Sequence, residues 1–165
     1  VIAVASLLKS HAVDPKLPFI LRGSGGMAAA VAGAFYDAGF RAGTIIARNE
    51  AAGTALARRY GYAWAPEPSD LTAPVIVNVT PIGMSGGAES EQLAYPQPTI
   101  EAASVVFDVV AMPVETPLIR AARAAGREVI TGGEVIALQA AEQFRLYTGV
   151  TLSPDDIAQA EAQAN

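Results

Sequence analysis

Short apolar runs alternate along this chain with longer stretches whose apolar positions recur at helical spacing. The runs predict six strands, at residues 18–22, 43–47, 62–65, 74–81, 104–110 and 127–130. Helices are predicted at residues 1–12, 26–38, 50–60, 116–125, 132–147 and 153–160. This alternation is typical of an α/β fold in which both faces of a parallel sheet are covered. We therefore expect one doubly wound domain, with ligands at the carboxyl ends of its strands.

The first strand runs directly into a glycine-rich turn. The order Gly23-x-Gly25-x-x-Ala28 matches the G-x-G-x-x-G/A fingerprint of dinucleotide-binding proteins. There the first glycine allows a tight turn, the second lets the backbone approach a pyrophosphate, and the small third residue permits close packing. Plain strand-to-helix turns also contain such glycines, but here an apolar strand and an Ala-rich helix flank them. The predicted phosphate contacts are Gly23, Ser24, Gly25, Gly26, Met27 and Ala28.

Composition excludes several other classes of protein. The 165 residues include no cysteine and a single histidine, which excludes thiolate catalysis and argues against a metal centre. The net charge of −5, without a large basic cluster, gives no footprint for nucleic acid. Because no apolar run reaches the roughly 18 residues of a membrane span and no signal sequence is recognisable, we expect a cytoplasmic protein.

The second predicted strand ends in Ala47-Arg48-Asn49. In NAD sites an acidic residue about 20 residues past the glycines accepts a hydrogen bond from the ribose, whereas an arginine accommodates the 2′-phosphate of NADP. Arg48 therefore favours NADP, with Asn49 beside it. The alternative is a solvated arginine paired with Glu50.

Few residues at the other strand ends can carry acid–base chemistry. The Asn-x-Thr-Pro-x-Gly order at residues 78–83 indicates either a site loop or a capped turn. Asp108 is expected to orient loops rather than to catalyse. The lysines, Lys9 and Lys16, lie away from the strand ends, and His11 is expected to be a surface residue at a helix end. No catalytic residue is predicted in this chain.

Four stretches together resemble the shikimate dehydrogenase family in its C-terminal NADP-binding domain. They are residues 22–28, the Asn-x-Thr-Pro-x-Gly-Met order at 78–84, residues 108–118 with Glu-Thr-Pro-Leu, and residues 139–149 with Gln-Ala-Ala-x-x-Phe. They span nearly the whole chain in family order. The resemblance implies a Rossmann fold of six parallel strands ordered 3-2-1-4-5-6, and a role in aromatic amino acid biosynthesis.

The same resemblance implies roles for single residues. Arg48 would bind the 2′-phosphate and Gln139 would contact a hydroxy-acid substrate. The residues near the ribose or nicotinamide would be Thr80, Val109, Gly132 and Val135. Other positions depart from the family: Arg22 replaces an apolar strand residue, Ala111-Met112 a Tyr-Asn pair, and Glu134-Val135 a Gly-Met pair. These departures indicate a divergent branch, and Arg22 is placed to help neutralise phosphate.

In this family the catalytic lysine and aspartate belong to an N-terminal substrate domain. The expectation is a cofactor domain, residues 1–165, whose helices at 1–12 and 150–165 pack toward that domain of the same polypeptide. Alone it would bind NADP without reducing a cyclic keto acid such as 3-dehydroshikimate. The alternatives are a non-catalytic NADP-sensing module, a cofactor domain like that of methylene-tetrahydrofolate dehydrogenase or glutamyl-tRNA reductase, and a methyltransferase.

Overall fold

Six parallel strands form the centre of the computed structural model, which describes residues 2–164. They are β1 (Phe19–Arg22), β2 (Gly43–Ile46), β3 (Ala63–Ala65), β4 (Val75–Asn78), β5 (Val105–Asp108) and β6 (Glu128–Ile130). Their order, β3-β2-β1-β4-β5-β6, confirms the predicted doubly wound topology. Because the order reverses between β1 and β4, their carboxyl ends border a crevice. Val1 and Asn165, which belong to the predicted terminal helices, lie outside the described residues.

Seven helices are present in the described residues. They are α1 (Ile2–Ser10), α2 (Gly26–Asp37), α3 (Glu50–Tyr60), α4 (Gln97–Ala102), α5 (Pro117–Ala124), α6 (Gly132–Thr148) and α7 (Pro154–Ala164). Six match predicted helices, although α7 extends further than expected. The short α4 was not predicted, because six residues containing a proline give no clear helical period. No helix among residues 2–164 combines the length and the hydropathy needed to cross a membrane.

The core forms one layer on each face of the sheet. Side chains alternate along β1, so Phe19 and Leu21 contribute to one buried cluster and Ile20 to the other. The first cluster packs against α2, where the rings of Phe19 and Phe35 lie 4.6 Å apart. The second includes Ile100 of α4, which explains how this short helix is held. The burial of both layers fixes β1 at the centre of the sheet.

The strands β4 and β5 end two or three residues before their predicted limits, because polar side chains turn the backbone there. The Asn78 side chain accepts a hydrogen bond from the Thr80 N–H at 3.1 Å, and Pro81 has no N–H to donate. The Asp108 carboxylate accepts from the Val110 N–H at 3.0 Å. The predicted extensions of the strands to residues 81 and 110 are therefore wrong, and these residues form loops at the crevice.

Candidate functional site

The turn after β1 requires glycine at its first position. Gly23 has a φ of +139°, and a Cβ placed there would lie 2.6 Å from the carbonyl oxygen of Val79. The same Cβ would lie 3.4 Å from that of Ala28, which is fully buried. Gly23 and Ala28 thus allow α2 to begin close against the end of the strand.

At Gly25 and Gly26, by contrast, the fold itself does not require glycine. Gly25 is the N-cap residue of α2, with a φ of −80° that other residues adopt readily. Apart from its immediate backbone surroundings, no described atom lies within 4 Å of a Cβ placed at either glycine. No side chain caps the helix, and Gly25, Gly26 and Met27 at its start are exposed, so N–H donors of its first turn are left without a side-chain partner. Such an end carries partial positive charge and suits an anion.

A cleft of about 350 Å³ opens at this turn, between the ends of β1, β2 and β4. It brings together six of the residues predicted to bind cofactor, namely Gly23, Ser24, Gly25, Arg48, Asn49 and Thr80. Arg22 and Glu89 also line it. Met27 lies outside its lining, 54% exposed on the first turn of α2. The predicted phosphate turn and the predicted 2′-phosphate arginine therefore share one cleft.

Arg48 faces two carboxylates, of which that of Glu89 lines the cleft. Its Nε lies 3.2 Å from Oε1 of Glu67 and its Nη1 lies 3.6 Å from Oε2 of Glu89. The alternative of pairing with Glu50 is wrong, since both partners come from loops distant in sequence. The guanidinium is mostly exposed, so it remains accessible to a further anion.

Arg22, in contrast, is buried. Its guanidinium donates to the Ala94 carbonyl and to Oε2 of Glu67, the latter at 3.2 Å. Burial lowers the pKa of this guanidinium below its ordinary value, and the carboxylate of Glu67 opposes that effect. The side chain lies in the cleft wall, next to the position predicted for phosphate.

Asn49 was predicted to bind the cofactor, and in the structure it also caps a helix. Its Oδ1 accepts a hydrogen bond from the Ala52 N–H at 3.0 Å and so caps α3. The residue still lines the cleft. Its side-chain oxygen is thus engaged, while its position beside Arg48 agrees with the sequence.

The loop after β4 is a capped turn that also borders the cleft. Asn78 is fully buried, and its Oδ1 accepts from the hydroxyl of Thr80 at 2.6 Å. Its Nδ2 donates to Oδ1 of Asp108 at 3.1 Å. Of the two interpretations of residues 78–83, the capped turn accounts for Asn78, while residues 79–82, Thr80 among them, line the cleft.

Asp108 joins β5 to α5 rather than facing the cleft. Its Oδ2 accepts from the hydroxyl of Thr116, at 2.8 Å, and Thr116 in turn caps α5. Burial raises the pKa of the Asp108 carboxyl to about 6, against hydrogen bonds that lower it. The expectation that Asp108 orients loops agrees with these contacts.

The residues implied near the nicotinamide lie at the end of β5 and the start of α6. A Cβ at Gly132 would lie 2.5 Å from the Val109 carbonyl oxygen, so glycine lets the two segments touch. Val135 is 6% exposed and packs in the core. Val109, Gly132 and Val135 are all absent from the lining of the cleft, although Val109 and Gly132 lie together beyond the Thr80 loop.

Gln139 lies apart from the cleft. It lines a separate groove between α1 and α6, together with Ile2 and Ala3 of the first helix and Glu142 of its own. The structure therefore does not bring the predicted substrate residue to the glycine turn.

His11 directly follows the end of α1 and its side chain is 20% exposed, as expected for a residue at a helix end, but its ring is held by two carboxylates. Its Nδ1 lies 3.0 Å from a carboxylate oxygen of Glu128, and its Nε2 lies 2.9 Å from one of Glu134. Burial lowers the pKa of the imidazole, but the hydrogen bonds and charges of the two carboxylates outweigh it and raise the pKa overall. His11 thus links α1 to β6 and α6. Among residues 2–164 no group of three side chains is arranged to hold a metal ion.

Comparisons with known proteins give a family for this fold and cleft. No protein-family model matches the chain. It is 49% identical over 163 residues to a shikimate dehydrogenase-like protein of Haemophilus influenzae, a match that covers 99% of this chain and 60% of that protein. It is 36% identical over 155 residues to a shikimate dehydrogenase (NADP(+)) of Acidiphilium cryptum, covering 90% of this chain and 54% of the relative.

A solved structure agrees with both sequence matches. Shikimate 5-dehydrogenase of Thermus thermophilus, in complex with NADP(H) and shikimate, superimposes with a TM-score of 0.83 and 29% identity. The match covers 99% of this chain and 61% of that one. The chain thus spans 54% to 61% of the length of these relatives. On the evidence of its strand order, its glycine turn and this similarity along nearly its whole length, the chain belongs to the shikimate dehydrogenase family.

Proposed function

We propose that this chain is the NADP-binding domain of a shikimate dehydrogenase-like oxidoreductase. The observation that carries the proposal is the open start of α2 beside Arg48. The cleft offers uncapped backbone donors for a pyrophosphate and a guanidinium for a 2′-phosphate. The name of the Acidiphilium relative and the NADP(H) in the Thermus structure support the same cofactor.

The residues present fit this cofactor. Gly25 and Gly26 leave space that no side chain of the described chain needs, which is the space a pyrophosphate would take. The turn at residues 23–28 would hold the pyrophosphate, Arg48 and Asn49 would adjoin the adenosine, and Thr80 would lie toward the nicotinamide ribose. Val109, Gly132 and Val135 would continue the site past Thr80. The bound nicotinamide supplies the hydride, while the protein supplies position and electrostatics.

For the substrate we propose a cyclic keto acid of the 3-dehydroshikimate type, which the same nicotinamide would reduce. The shikimate in the Thermus structure supports this class of compound. Gln139 would contact the substrate from the groove between α1 and α6. As a biosynthetic enzyme of this kind, the protein would act in the cytoplasm.

We propose further that the acid and base come from an N-terminal substrate domain of the same polypeptide. Neither lysine lines the cleft, since Lys9 is in α1 and Lys16 precedes β1. His11 is held by two carboxylates. Exposed apolar side chains on α1 and α6, among them Ile2, Ile136 and Leu146, offer a surface for that domain beside residues 1–12 and 150–165. The chain alone is then expected to bind NADPH without reducing 3-dehydroshikimate.

Titration of the chain with NADPH, NADH and S-adenosylmethionine tests the cofactor. Arg48→Ala is expected to weaken NADPH by about ten- to a hundredfold, since a charge-assisted hydrogen bond is worth on the order of 1.5 to 3 kcal/mol, and to affect NADH little. The matched control is Arg120→Ala on the exposed face of α5, outside the cleft. Binding of none of the three ligands would contradict the proposal, and equal losses for both dinucleotides would refute the 2′-phosphate role of Arg48.

A further inference from the structure

Two guanidinium groups in the wall of the cleft, those of Arg22 and Arg48, converge on one carboxylate. Oε1 of Glu67 lies 3.2 Å from Nε of Arg48, and Oε2 of the same residue lies 3.2 Å from Nη2 of Arg22. Each carboxylate oxygen thus faces a different arginine. A place where two arginines stabilise one anionic group is a place suited to an anion in general.

A second carboxylate balances the charge of this cluster. Oε2 of Glu89 lies 3.6 Å from Nη1 of Arg48, so two arginines and two glutamates form one cluster, of which Arg22, Arg48 and Glu89 line the cleft. A phosphate that approached Arg48 with both carboxylates in place would meet like charges as well as the guanidinium. Although the Arg48 guanidinium is mostly exposed, a phosphate that binds it therefore competes with these carboxylates.

The surroundings indicate which group moves. The Arg22 side chain is only 9% exposed, and it also donates to the Ala94 carbonyl, which fixes its position. Glu67 is 48% exposed and follows β3, between Pro66 and Pro68. The guanidinium of Arg22 is therefore the fixed part of the cluster, and the Glu67 carboxylate has solvent into which it can swing.

We propose that the Glu67 carboxylate is a resident anion, which holds Arg48 beside Arg22 until the 2′-phosphate of NADP displaces it. This proposal rests on the proposed NADP site. It adds that Glu67 competes with the 2′-phosphate for Arg48 and so sets how strongly the site distinguishes NADP from NAD. After displacement, Arg22 becomes a second guanidinium beside the phosphate. Neither residue has a counterpart in the fingerprint that predicted the site.

Binding of 2′,5′-ADP and 5′-AMP to wild type and Glu67→Gln tests the proposal. Glutamine keeps the size of the side chain but removes the competing charge. We expect 2′,5′-ADP to bind about fivefold more tightly to the variant, the effect of removing one partly exposed ion pair, and 5′-AMP to change by less than about twofold. Calorimetry measures both, and the fluorescence of Trp64, whose Nε1 donates to the Ala47 carbonyl at 3.1 Å beside Arg48, gives a second readout.

The matched control is Glu101→Gln in α4, which makes the same change of charge outside the cleft. It is expected to leave both affinities unchanged. Weaker binding of 2′,5′-ADP by Glu67→Gln, or an equal change for the two nucleotides, would overturn the inference. A loss confined to 5′-AMP would instead make Glu67 a ribose acceptor and would also overturn it. Failure of wild type to bind either nucleotide would contradict the proposed function itself.

Discussion

The helices α2 and α6 both begin at the carboxyl edge of the sheet, but their first turns are finished in opposite ways. Thr131 caps α6, and Glu134 reaches back to the Thr131 N–H at 2.7 Å, which completes a capping box. At α2 the N-cap is Gly25, and no side chain returns to the helix. The same edge therefore carries one helix start that the protein satisfies itself and one that it leaves open.

The two helices show that a helix start can serve either the stability of the fold or the binding of a ligand. A capping box satisfies two of the N–H donors at a helix start, and replacing a capping Thr by Ala typically costs about 1 kcal/mol of stability. An open end at a cleft forgoes that stabilisation and keeps its donors for a ligand. Because Gly25 and Gly26 also leave empty the space in front of α2, the open start is the place for a pyrophosphate.

Of the changes that test this difference, giving α2 a cap is expected to have the largest effect. Gly25→Asp places a carboxylate at the N-cap, where the backbone φ of −80° allows it and no neighbouring atom obstructs its Cβ. We expect stability to be unchanged or slightly higher, because Asp is a better N-cap than Gly by a few tenths of a kcal/mol. NADPH affinity is expected to fall at least about a hundredfold, since the carboxylate both takes the donors and repels the phosphates. Thermal unfolding and calorimetric titration measure the two effects.

Gly25→Ala is the control for Gly25→Asp, since it adds a Cβ without charge or acceptor. A smaller loss of affinity is expected for it. If Gly25→Asp bound NADPH as wild type does, the start of α2 would not be the phosphate site. If it unfolded the protein, the space in front of Gly25 would not be open.

The converse change removes the cap from α6. Thr131→Ala deletes an acceptor that lies 3.3 Å from the Glu134 N–H, in a residue only 4% exposed. We expect a loss of about 1 kcal/mol in the free energy of unfolding, within the range of about 0.5 to 2 kcal/mol for such caps, and little change in NADPH affinity. Urea unfolding of Thr131→Ala beside Thr131→Ser, which keeps the hydroxyl, isolates the contribution of the cap. A large loss of affinity without a loss of stability would place α6 in the phosphate site instead.

The sheet could be predicted because its signals are local. Apolar runs bounded by glycine and proline gave six strands, and the spacing of helices between them gave parallel pairing. The ends of β4 and β5 could not be predicted, because Asn78 and Asp108 turn the chain with their own side chains. Where a side chain replaces a hydrogen bond between strands, the hydrophobic periodicity of the sequence does not change.

In the candidate site, too, the features encoded locally could be predicted and the contacts between distant residues could not. The glycine turn was predicted from a fixed local spacing, and Arg48 from its distance beyond that turn. The partners of Arg48 could not be predicted, because Glu67 lies 19 residues further along the chain and is brought back by β3. The two carboxylates that hold His11 are more than a hundred residues away from it. Charged pairs of this kind arise from topology, so only the folded chain reveals them.

The smallest expected effect concerns His11, which contacts the glutamate that completes the capping box of α6. Oε2 of Glu134 completes the capping box, while its Oε1 lies 2.9 Å from Nε2 of His11. Both imidazole nitrogens face carboxylates, which only the protonated ring can satisfy by donating to both. The third carboxylate in this region, that of Glu161, has a pKa raised by burial and then by the charge of Glu134.

The raised pKa of His11 gives its contribution to stability a definite sign. The protonated ring is favoured in the folded state, so its stabilisation is complete below about pH 6.5, the ordinary histidine value, and is lost as the pH rises through the folded pKa. We expect wild type to exceed His11→Asn in unfolding free energy by less than about 1 kcal/mol at pH 5.5, since the partners are partly exposed, and the difference to shrink by pH 8.5. Urea unfolding across this range measures it, and Glu128→Gln should reduce the pH dependence by removing one partner. Parallel profiles for wild type and His11→Asn would show that the imidazole is not protonated between these carboxylates, and that α6 is closed by Thr131 and Glu134 alone.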